Sequence, residues 1–463
     1  MRERLSRLAE GVSIWSLAAL AFTLPFWRHW VLFHQPLDEV LYDYHEIVLY
    51  ATDLFLWVAL GGWLLSHLLS RSRAKLRWGP AFLFAPLLGL LMLSIAGVPQ
   101  AVDPVYAAYT VVRLVFIFVL YLMVVNAPLE RGLIAWPLAA GMGVQGAVGV
   151  LQFLLGHTLG LQWLGETTAD AAWPGVSVVM VGVQRWLRAY GLTQHPNVLG
   201  GLLMAGLLVV IGFYLIQLGS RRIALLAMLA VGLGTLLLTF SRAAWLGTAA
   251  GGLAMLGVLL WAQRQGARPV RRSSLVLLGS LILAVVLVFV AANWPLLRPR
   301  LGLASQGVEI RSVEERVMLD RAALVLIQMR PWFGVGLGSF PAALFRLVPE
   351  AVSSYPSFTP VHNIFLLATA ELGFLGGLLW LCLILSPWLA LWLRRRQVEM
   401  TPWWAGLSGA MAALTVVSFF DHYLWSFQQG RLMLWLVWGL WAREWARLPF
   451  SRRMRESTQE PSP

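Results

Sequence analysis

The chain has 463 residues, of which 59% are hydrophobic and only 12% are charged. Soluble domains carry about 25% charged residues, so this composition excludes an ordinary soluble protein and indicates a polytopic membrane protein. The formal net charge of +13 would suggest nucleic acid binding in a soluble protein. In a membrane protein it is expected from basic cytoplasmic loops, and we predict no nucleic acid partner. The single cysteine, Cys382, excludes an intramolecular disulfide and a cysteine metal cluster.

Apolar runs of about 20 residues, the length that a bilayer core requires, recur along the whole chain. Unpaired backbone groups are not tolerated in lipid, so each run is predicted to be a helix. The predicted fold class is an all-α polytopic membrane protein with about 12 transmembrane helices, forming a single transmembrane domain over 1–463. The predicted spans are 11–27, 47–69, 79–97, 105–125, 132–155, 198–218, 223–239, 243–262, 274–293, 361–385, 403–420 and 431–447.

Basic residues are unevenly divided between the two sets of connectors. If both termini are cytoplasmic, the inner connectors hold 22 Lys and Arg residues, and the outer connectors other than the long loop 294–360 hold 5. Cytoplasmic loops are enriched in these residues, whereas long loops are exempt from the rule. We therefore predict cytoplasmic N- and C-termini. Two long segments then lie outside, a second outer loop at 156–196 and a long outer loop at 294–360.

The long outer loop is the one extended excursion from the membrane. It contains a charged stretch and a glycine-rich turn, PWFGVGLGSF, and it returns to the membrane at His362. Loops carry function more often than the scaffold does, so this loop is predicted to act on a substrate.

Three helices that run inward are predicted to begin at the outer face with polar residues. Ser, Thr and Asn cap helix starts, and the free N–H groups of a helix start attract anions. The predicted starts carry His195 and Asn197, Ser241 and Arg242, and His362 and Asn363.

Arginines accompany these helix starts. The guanidinium fork matches phosphate oxygens, so Arg188 and Arg242 predict an outward-facing anion site. The alternative for each is that it extends to lipid headgroups. Arg113 lies within a predicted span, where arginines usually line a cavity. It is predicted to face the substrate or, alternatively, to pair with an intramembrane acid such as Asp53. Glu371 is predicted to be a packing or pairing residue.

Four segments together resemble a known family. They are RAYGLTQHPNVLGGLL at 188–203, TFSRAAWLG at 239–247, ERVMLDRAALVLIQMRPWFGVGLGSF at 315–340 and HNIFLLATAELGFLGG at 362–377. Their order and spacing resemble the O-antigen ligase and O-antigen polymerase superfamily, lipid-linked glycan transferases of the bacterial inner membrane. The resemblance covers roughly the second half of the chain.

The resemblance implies a GT-C-like membrane glycosyltransferase. Its donor would be a glycan on undecaprenyl diphosphate, and its acceptor a lipid or glycan hydroxyl, at the outer face of the cytoplasmic membrane among membrane lipids. By motif position, Arg188 and Arg242 would bind the diphosphate, with Arg113 as a further candidate. His362 would be the base, with Arg242 also acting in catalysis. The residues that would shape the site are His195, Asn197, Ser241 and Asn363.

The outer segments contain no close Asp-x-Asp pair that would hold Mg²⁺. A diphosphate leaving group needs its charge stabilised, and preorganised cations can replace a metal in that role. An imidazole is the usual positioned base near neutral pH. We therefore predict an enzyme that is metal-independent and has no cofactor. The ligase type is the activity that we expect from the family resemblance.

Two alternatives remain open at this point. One is a polymerase of surface polysaccharide repeat units, which the same motifs would fit. The other, from a different class, is a glycolipid transporter or flippase, for which twelve spans would be a common number. Transporters often show repeated halves with broken helices near the midplane. The sequence shows no such repeat, and its polar motifs cluster at one face.

Overall fold

The structure, a computed structural model, describes residues 1–34, 46–70, 75–300, 307–352, 359–395 and 400–447. It is 72% helical. The helices are α1 Arg2–Thr23, α2 Ala51–Leu69, α3 Ala81–Gly97, α4 Pro104–Asn126, α5 Gly132–Leu155, α6 Pro196–Tyr214, α7 Arg221–Leu238, α8 Arg242–Arg264, α9 Arg272–Arg300, α10 Gly307–Met329, α11 Phe340–Leu347, α12 Pro349–Val352, α13 Ile364–Leu393, α14 Pro402–Val417, α15 Tyr423–Ser426 and α16 Gln428–Trp445. The strands are β1 His29–Phe33, β2 Ile47–Tyr50, β3 Val178–Val181 and β4 Gln184–Leu187.

The predicted fold class, an all-α polytopic membrane protein, is confirmed. Within the described ranges, 10 helices are long and apolar enough to cross a membrane. The other two predicted spans fall on α14, an apolar helix of 16 residues, and on α16, which has 18 residues. Every residue of α16 is buried in the protein. Its charged residues Arg443 and Glu444 can therefore find protein partners rather than lipid.

The centre of the bundle lies around α6, α14 and α16. Of the apolar window of α6, 89% is buried inside the protein, compared with 11% for α9. α6 packs against α7, α8 and α14, and α16 packs against α4 and α14. The small residues Gly212 and Gly406 let α6 and α14 approach closely: a methyl group on Gly212 would lie 2.9 Å from the Cα of Gly406. Close backbone approach through small residues is typical of packed membrane helices.

Two antiparallel hairpins lie between the helices. β2 occupies the first four residues of the predicted span 47–69, so the helix of that span begins later than predicted, at Ala51. β1 pairs with β2, and β3 pairs with β4. The second pair lies inside the predicted loop 156–196, and the long loop 294–360 contains α10, α11 and α12. Both hairpins are two-stranded, which is marginal in isolation, so their stability depends on packing against the helices.

α13 is interrupted at Gly373, whose φ of 73° and ψ of −175° are not helical. The glycine-rich turn packs into the break. The N–H of Val335 donates to the carbonyl of Ala370 at 2.9 Å, and the N–H of Phe374 donates to the carbonyl of Pro331 at 2.8 Å. A broken helix inside a membrane needs such partners for its freed backbone groups. A methyl group on Gly373 would lie 2.2 Å from the carbonyl oxygen of Trp332, so glycine is required there.

Glu371 stands beside this break. Its carboxylate accepts hydrogen bonds from the indole of Trp425 at 2.8 Å and from the N–H of Phe340 at 3.3 Å. The prediction that Glu371 is a pairing residue is confirmed. It joins α13 to α11 and α15 and so holds the long loop against the end of α13 that carries His362.

Candidate functional site

The starts of α6, α8 and α13 and the end of α14 meet at one end of the bundle, here called the site end. A methyl group on Gly200 of α6 would lie 3.0 Å from the Cβ of Ala244 in α8, so these two helices touch within a turn of their starts. The N–H of Ile364 donates to the carbonyl of Ser418 at 2.8 Å, which joins the start of α13 to the end of α14. The polar helix starts identified from the sequence are therefore brought together.

A cavity of about 500 Å³ lies at the site end. This volume is within the range of roughly 300–1,000 Å³ found for small-molecule sites. Residues near the starts of α6 and α13, in the segment after α14, in the β1–β2 hairpin and in the segment 162–167 line it. His195, Asn197 and His362, all predicted as site residues, are among the lining residues.

His362 faces this cavity just before α13. Asn363 caps the helix, and its Oδ1 accepts hydrogen bonds from the N–H groups of Phe365 at 2.9 Å and Leu366 at 3.3 Å. Asn363 thus shapes the site through the backbone. Among the described residues, the buried Nδ1 of His362 has no hydrogen-bond partner. His362 therefore has an unpartnered ring nitrogen in a residue that lines the cavity, and a hydrogen bond to a catalytic base can form only once the substrate is bound.

Asp421 and His422 complete a cluster with His362. The rings of His362 and His422 stand edge to face with centroids 5.1 Å apart. A ligand atom from each of the three residues lies within 4.8 Å of the other two. The sequence analysis did not assign Asp421 or His422 to the site. The chain fold places this acid and imidazole beside His362.

The protonation states of the cluster follow from its burial. Burial lowers the pKa of His362, although the nearby carboxylate of Asp421 acts in the opposite direction. Burial and the nearby His362 lower the pKa of His422 to about 3. Burial raises the pKa of Asp421, but the surrounding imidazoles, first His362, outweigh this and hold it below its usual value. At neutral pH the imidazoles are therefore neutral and Asp421 is ionised, the state in which His362 can accept a proton.

Arg188 is linked to this cluster through Asn197. The Arg188 guanidinium donates to Oδ1 of Asn197 at 2.6 Å, and Nδ2 of Asn197 donates to Oδ2 of Asp421 at 2.9 Å. Nε of Arg188 also donates to the carbonyl of Thr239 at 2.6 Å, just before α8. Arg188 is buried. Together these bonds join the start of α6, the residue Thr239 before α8 and the segment after α14 in one network. Charge-assisted hydrogen bonds of this kind are the strong ones.

His195 is the N-cap of α6, and its hydrogen bonds assign its tautomer. Nδ1 accepts from the N–H of Asn197 at 3.1 Å, so the proton lies on Nε2, which is 2.7 Å from Oγ of Ser177. Burial, reinforced by the charge of Arg188, lowers the pKa of His195 to about 3. Both ring nitrogens are occupied. His195 therefore shapes the site and does not compete with His362 as the base.

Ser241 and Arg242 begin α8. Oγ of Ser241 accepts a hydrogen bond from the N–H of Ala244 at 3.4 Å and caps the helix. Arg242 is exposed and lies at the site end, but it is not among the residues lining the cavity. An exposed guanidinium at a helix start can meet a phosphate that arrives from the lipid side.

Arg113 is placed differently from the other arginines. Its guanidinium forms a salt bridge of 2.9 Å with Asp53, and it also donates to Gln428 at 3.2 Å. It borders a space of about 30 Å³, next to the main cavity. Such a space has room for about one water molecule and not for a diphosphate. The geometry favours the alternative considered from the sequence, a structural ion pair with Asp53, over direct diphosphate binding.

The cluster of His362, Asp421 and His422 could also hold a metal ion, because imidazole and carboxylate are metal ligands. The sequence analysis predicted no metal and did not assemble these ligands. Both Asp421 oxygens already accept hydrogen bonds, from Asn197 and from the N–H of His422 at 2.9 Å each. Nδ1 of His422 is 2.6 Å from Oγ of Ser426. Both oxygens of Asp421 and Nδ1 of His422 are thus already in hydrogen-bond contact with protein groups.

We expect activity to survive EDTA, because the arginines can supply the positive charge that a metal would otherwise supply. The measurement is the transfer rate after extensive chelation, beside an untreated sample. Asp421→Asn serves as the comparison variant, since it removes the only carboxylate of the cluster. Loss of activity on chelation, with recovery on adding Mg²⁺ or Mn²⁺ to the wild type alone, would instead establish a metal at this cluster.

Comparison with known families decides the class of protein. Residues 225–381 match the family model described as O-antigen ligase. This segment of the chain is similar to the O-antigen ligase family and is here called the O-antigen ligase domain. The predicted relationship to the O-antigen ligase and polymerase superfamily is confirmed. Members of this family are glycosyltransferase-like enzymes that use lipid-linked glycans. No curated protein matches the chain.

The O-antigen ligase domain runs from α7 into α13 and contains Ser241, Arg242, His362 and Asn363. Arg188, His195 and Asn197 precede it, and Asp421 follows it. The residues lining the cavity that the sequence analysis did not single out include Trp27 and Arg28. Nothing in the local sequence around them signals a site, because contacts with distant segments bring them there, such as the hydrogen bond from the N–H of Trp27 to the carbonyl of Leu192.

Proposed function

We propose that this protein transfers a glycan from undecaprenyl diphosphate to an acceptor hydroxyl, as an O-antigen ligase. The reaction would take place at the outer face of the bacterial cytoplasmic membrane, with both termini cytoplasmic. The observation that carries the proposal is the cavity at the site end, where a buried imidazole with a free nitrogen stands beside an ionised carboxylate. The O-antigen ligase match over 225–381 supports it.

In this reaction the acceptor oxygen attacks the anomeric carbon, and the bond from that carbon to the diphosphate oxygen breaks. His362 takes the hydroxyl proton as the new bond forms. Asp421 stabilises the resulting imidazolium and acts as a positioning residue. The leaving diphosphate gains negative charge, which Arg242 meets at the lipid-facing side, since a guanidinium fork matches phosphate oxygens.

Arg188 contributes in a second way. Its bonds to Asn197 and Thr239 fix the network that joins Asp421 to the starts of α6 and α8. A buried guanidinium also raises the positive potential at this end, which favours an anion. We propose that Arg188 supports the diphosphate site, with His195, Asn197, Ser241 and Asn363 shaping it. Arg113 holds α4 to α2 through Asp53.

We also propose that the fold is GT-C-like. The two long loops, 156–196 and 294–360, would lie at the outer face of the membrane. Every residue lining the main cavity lies at the site end. That placement fits an enzyme acting on one face of the membrane better than a flippase, whose pathway must reach both faces.

The test is transfer by purified protein in lipid nanodiscs. It is supplied with a glycan on undecaprenyl diphosphate, with lipid A core, repeat units and a hydroxylated peptide as separate acceptors. We expect a single transfer that releases undecaprenyl diphosphate. A ladder of products with repeat units would identify a polymerase instead. Movement of the glycolipid across a liposome membrane without cleavage would overturn the enzyme assignment.

A further inference from the structure

Part of the cavity wall is built by residues outside the O-antigen ligase domain. Of the residues that line the cavity, only Thr359 and His362 fall within 225–381. Trp27, Arg28 and Tyr50 come from the β1–β2 hairpin and its flanks, and Gln162 and Thr167 come from the segment after α5. These five residues are here called the hairpin wall. The proposed transfer chemistry uses none of them.

An aromatic group forms the floor of the hairpin wall. The ring of Trp27 contacts Tyr50, His29 and Phe427 edge to face, with centroids 5.0, 5.5 and 5.5 Å apart. The N–H of Trp27 donates to the carbonyl of Leu192 at 2.8 Å, which fixes its backbone against the start of α6. Edge-to-face packing is a favourable geometry for aromatic rings, so Trp27 is held in one orientation. It remains partly exposed.

The segment 162–167 is clamped to the same place. Gly165 has a φ of 100°, and a methyl group there would lie 2.2 Å from the backbone nitrogen of Arg28. The segment therefore lies in direct backbone contact with Trp27–Arg28. Glu166, which also lines the cavity, anchors the segment to α5, since its carboxylate accepts a hydrogen bond from Nε2 of Gln152 at 2.7 Å. A wall held this firmly would lose little conformational entropy on binding a ligand.

The polar groups of the wall suit hydroxyl groups. Gln162 is exposed and can both donate and accept hydrogen bonds, and Thr167 adds a hydroxyl. Arg28 extends over the ring of Trp30 at 5.2 Å from its centroid and supplies donors. Glu46 also lines the cavity and can accept from hydroxyls. Glu46 is paired with His34 at 2.9 Å, so the cavity carries a carboxylate as well as Arg28. This mixture of charges and polar groups suits a neutral hydroxylated ligand better than a diphosphate or a lipid chain.

We propose that the hairpin wall is a carbohydrate subsite that stacks a pyranose ring on the aromatic group of Trp27. A pyranose ring carries C–H groups on its faces and hydroxyls around its rim, so it needs an aromatic surface bordered by planar polar side chains. The wall offers this combination in the same cavity as His362. The assignment rests on the proposed function, because the ring would belong either to the sugar of the lipid-linked donor or to the sugar of the acceptor.

The first test measures binding without catalysis. Full-length protein in nanodiscs is mixed with a panel of methyl hexopyranosides, and saturation transfer from protein to sugar is recorded by NMR. We expect transfer to at least one glycoside for the wild type, its loss in Trp27→Ala and its retention in Trp27→Phe. Trp163→Ala is the matched control: Trp163 lies in the same segment and is 66% exposed, but it does not line the cavity.

The second test separates the two sources of the sugar. KM is measured for the donor at saturating acceptor and for the acceptor at saturating donor. Trp27→Ala should raise one of these by roughly tenfold, as for loss of one stacked ring, with a smaller effect on turnover at saturation. Gln162→Ala is the second variant, for the case that Trp27→Ala does not fold, because Gln162 is exposed and its replacement keeps the fold. It should raise the same KM by roughly threefold. A raised acceptor KM assigns the ring to the acceptor, and a raised donor KM assigns it to the donor.

Failure of this proposal can be told from failure of the proposed function. If the wild type transfers glycan but no glycoside binds, or if both KM values in the Trp27 and Gln162 variants equal those of Trp163→Ala, the carbohydrate subsite is overturned and the function stands. If glycosides bind at Trp27 while the wild type transfers no glycan from any lipid-linked donor, the function is overturned and the subsite stands.

Discussion

Replacing His362 with alanine is expected to reduce turnover by roughly 10²–10⁴, the usual contribution of a positioned acid–base group. Donor affinity should remain nearly intact, because a base that acts on the acceptor hydroxyl contributes in the transition state and not to donor binding. The structure supports this separation. Nδ1 of His362 is buried at the cavity and has no hydrogen-bond partner among the described residues.

The pH dependence provides a second readout for His362. A general base works in its neutral form, so the rate should fall as the pH falls through its pKa. Burial lowers the pKa of His362 below its ordinary value, which places this acid limb on the acid side of about pH 6.5. His362→Ala should remove the limb and leave a flatter profile. A merely structural histidine would lower the rate without changing the shape of the curve.

The measurements are donor affinity and single-turnover rate for the same preparations. His157→Ala is the control, since His157 is an exposed histidine at the start of the second outer loop and does not line the cavity. If His362→Ala lowers donor affinity as strongly as it lowers the rate, His362 is a diphosphate ligand. The base would then have to be another group, for which Asp421 is the nearest ionised candidate.

Arg242→Ala is expected to weaken donor binding and turnover together, by roughly 10- to 100-fold, the range of a hydrogen bond to a charged group. A phosphate contact made in both the bound and transition states lowers affinity and rate in step. Arg242→Lys keeps the charge and loses the bidentate fork, so it should fall between wild type and alanine. Arg242 is exposed at the first position of α8, where the helix start also favours an anion.

Arg264→Ala is a matched control for Arg242, because Arg264 is an exposed arginine at the other end of the same helix. Binding is measured with undecaprenyl diphosphate that carries no sugar, so that only the diphosphate and lipid contacts are compared. Unchanged affinity in Arg242→Ala would support the alternative considered from the sequence, in which this side chain only reaches lipid headgroups. The diphosphate would then have to be held chiefly through the network around Arg188.

The membrane class and the order of the spans could be predicted from the sequence because they depend on local properties. A bilayer requires runs of about 20 apolar residues, whatever their neighbours are. Helix caps are equally local: Ser241 and Asn363 cap α8 and α13 as predicted. The cap of α6 is instead His195, two residues before the Asn197 that the sequence indicated. His362 could be proposed as the base for a related reason, since it lies in a short segment, 362–377, that contributes to the family resemblance.

The partners of these residues depended on contacts between distant segments. Asn197 meets Asp421 across 224 residues of chain, and no local pattern announces that bond. The same holds for Arg113. Its position within a span was compatible both with facing a substrate cavity and with pairing to an intramembrane acid. Only the packing of α4 against α2 placed it beside Asp53.

The break in α13 and the hairpin wall were decided by tertiary structure for the same reason. The sequence predicted one unbroken span over 361–385, yet Gly373 interrupts the helix because the glycine-rich turn supplies the hydrogen bonds that the break needs. Trp27 is the last residue of the first predicted span, 11–27, whereas α1 ends at Thr23. The place of Trp27 in the cavity depends on contacts with Tyr50 and Phe427. Sequence alone thus determined which segments enter the membrane and which residues start their helices, since solvent and backbone act on each segment separately. Which charges pair and which rings face the substrate was decided by packing, because those energies arise between segments that the chain brings together only on folding.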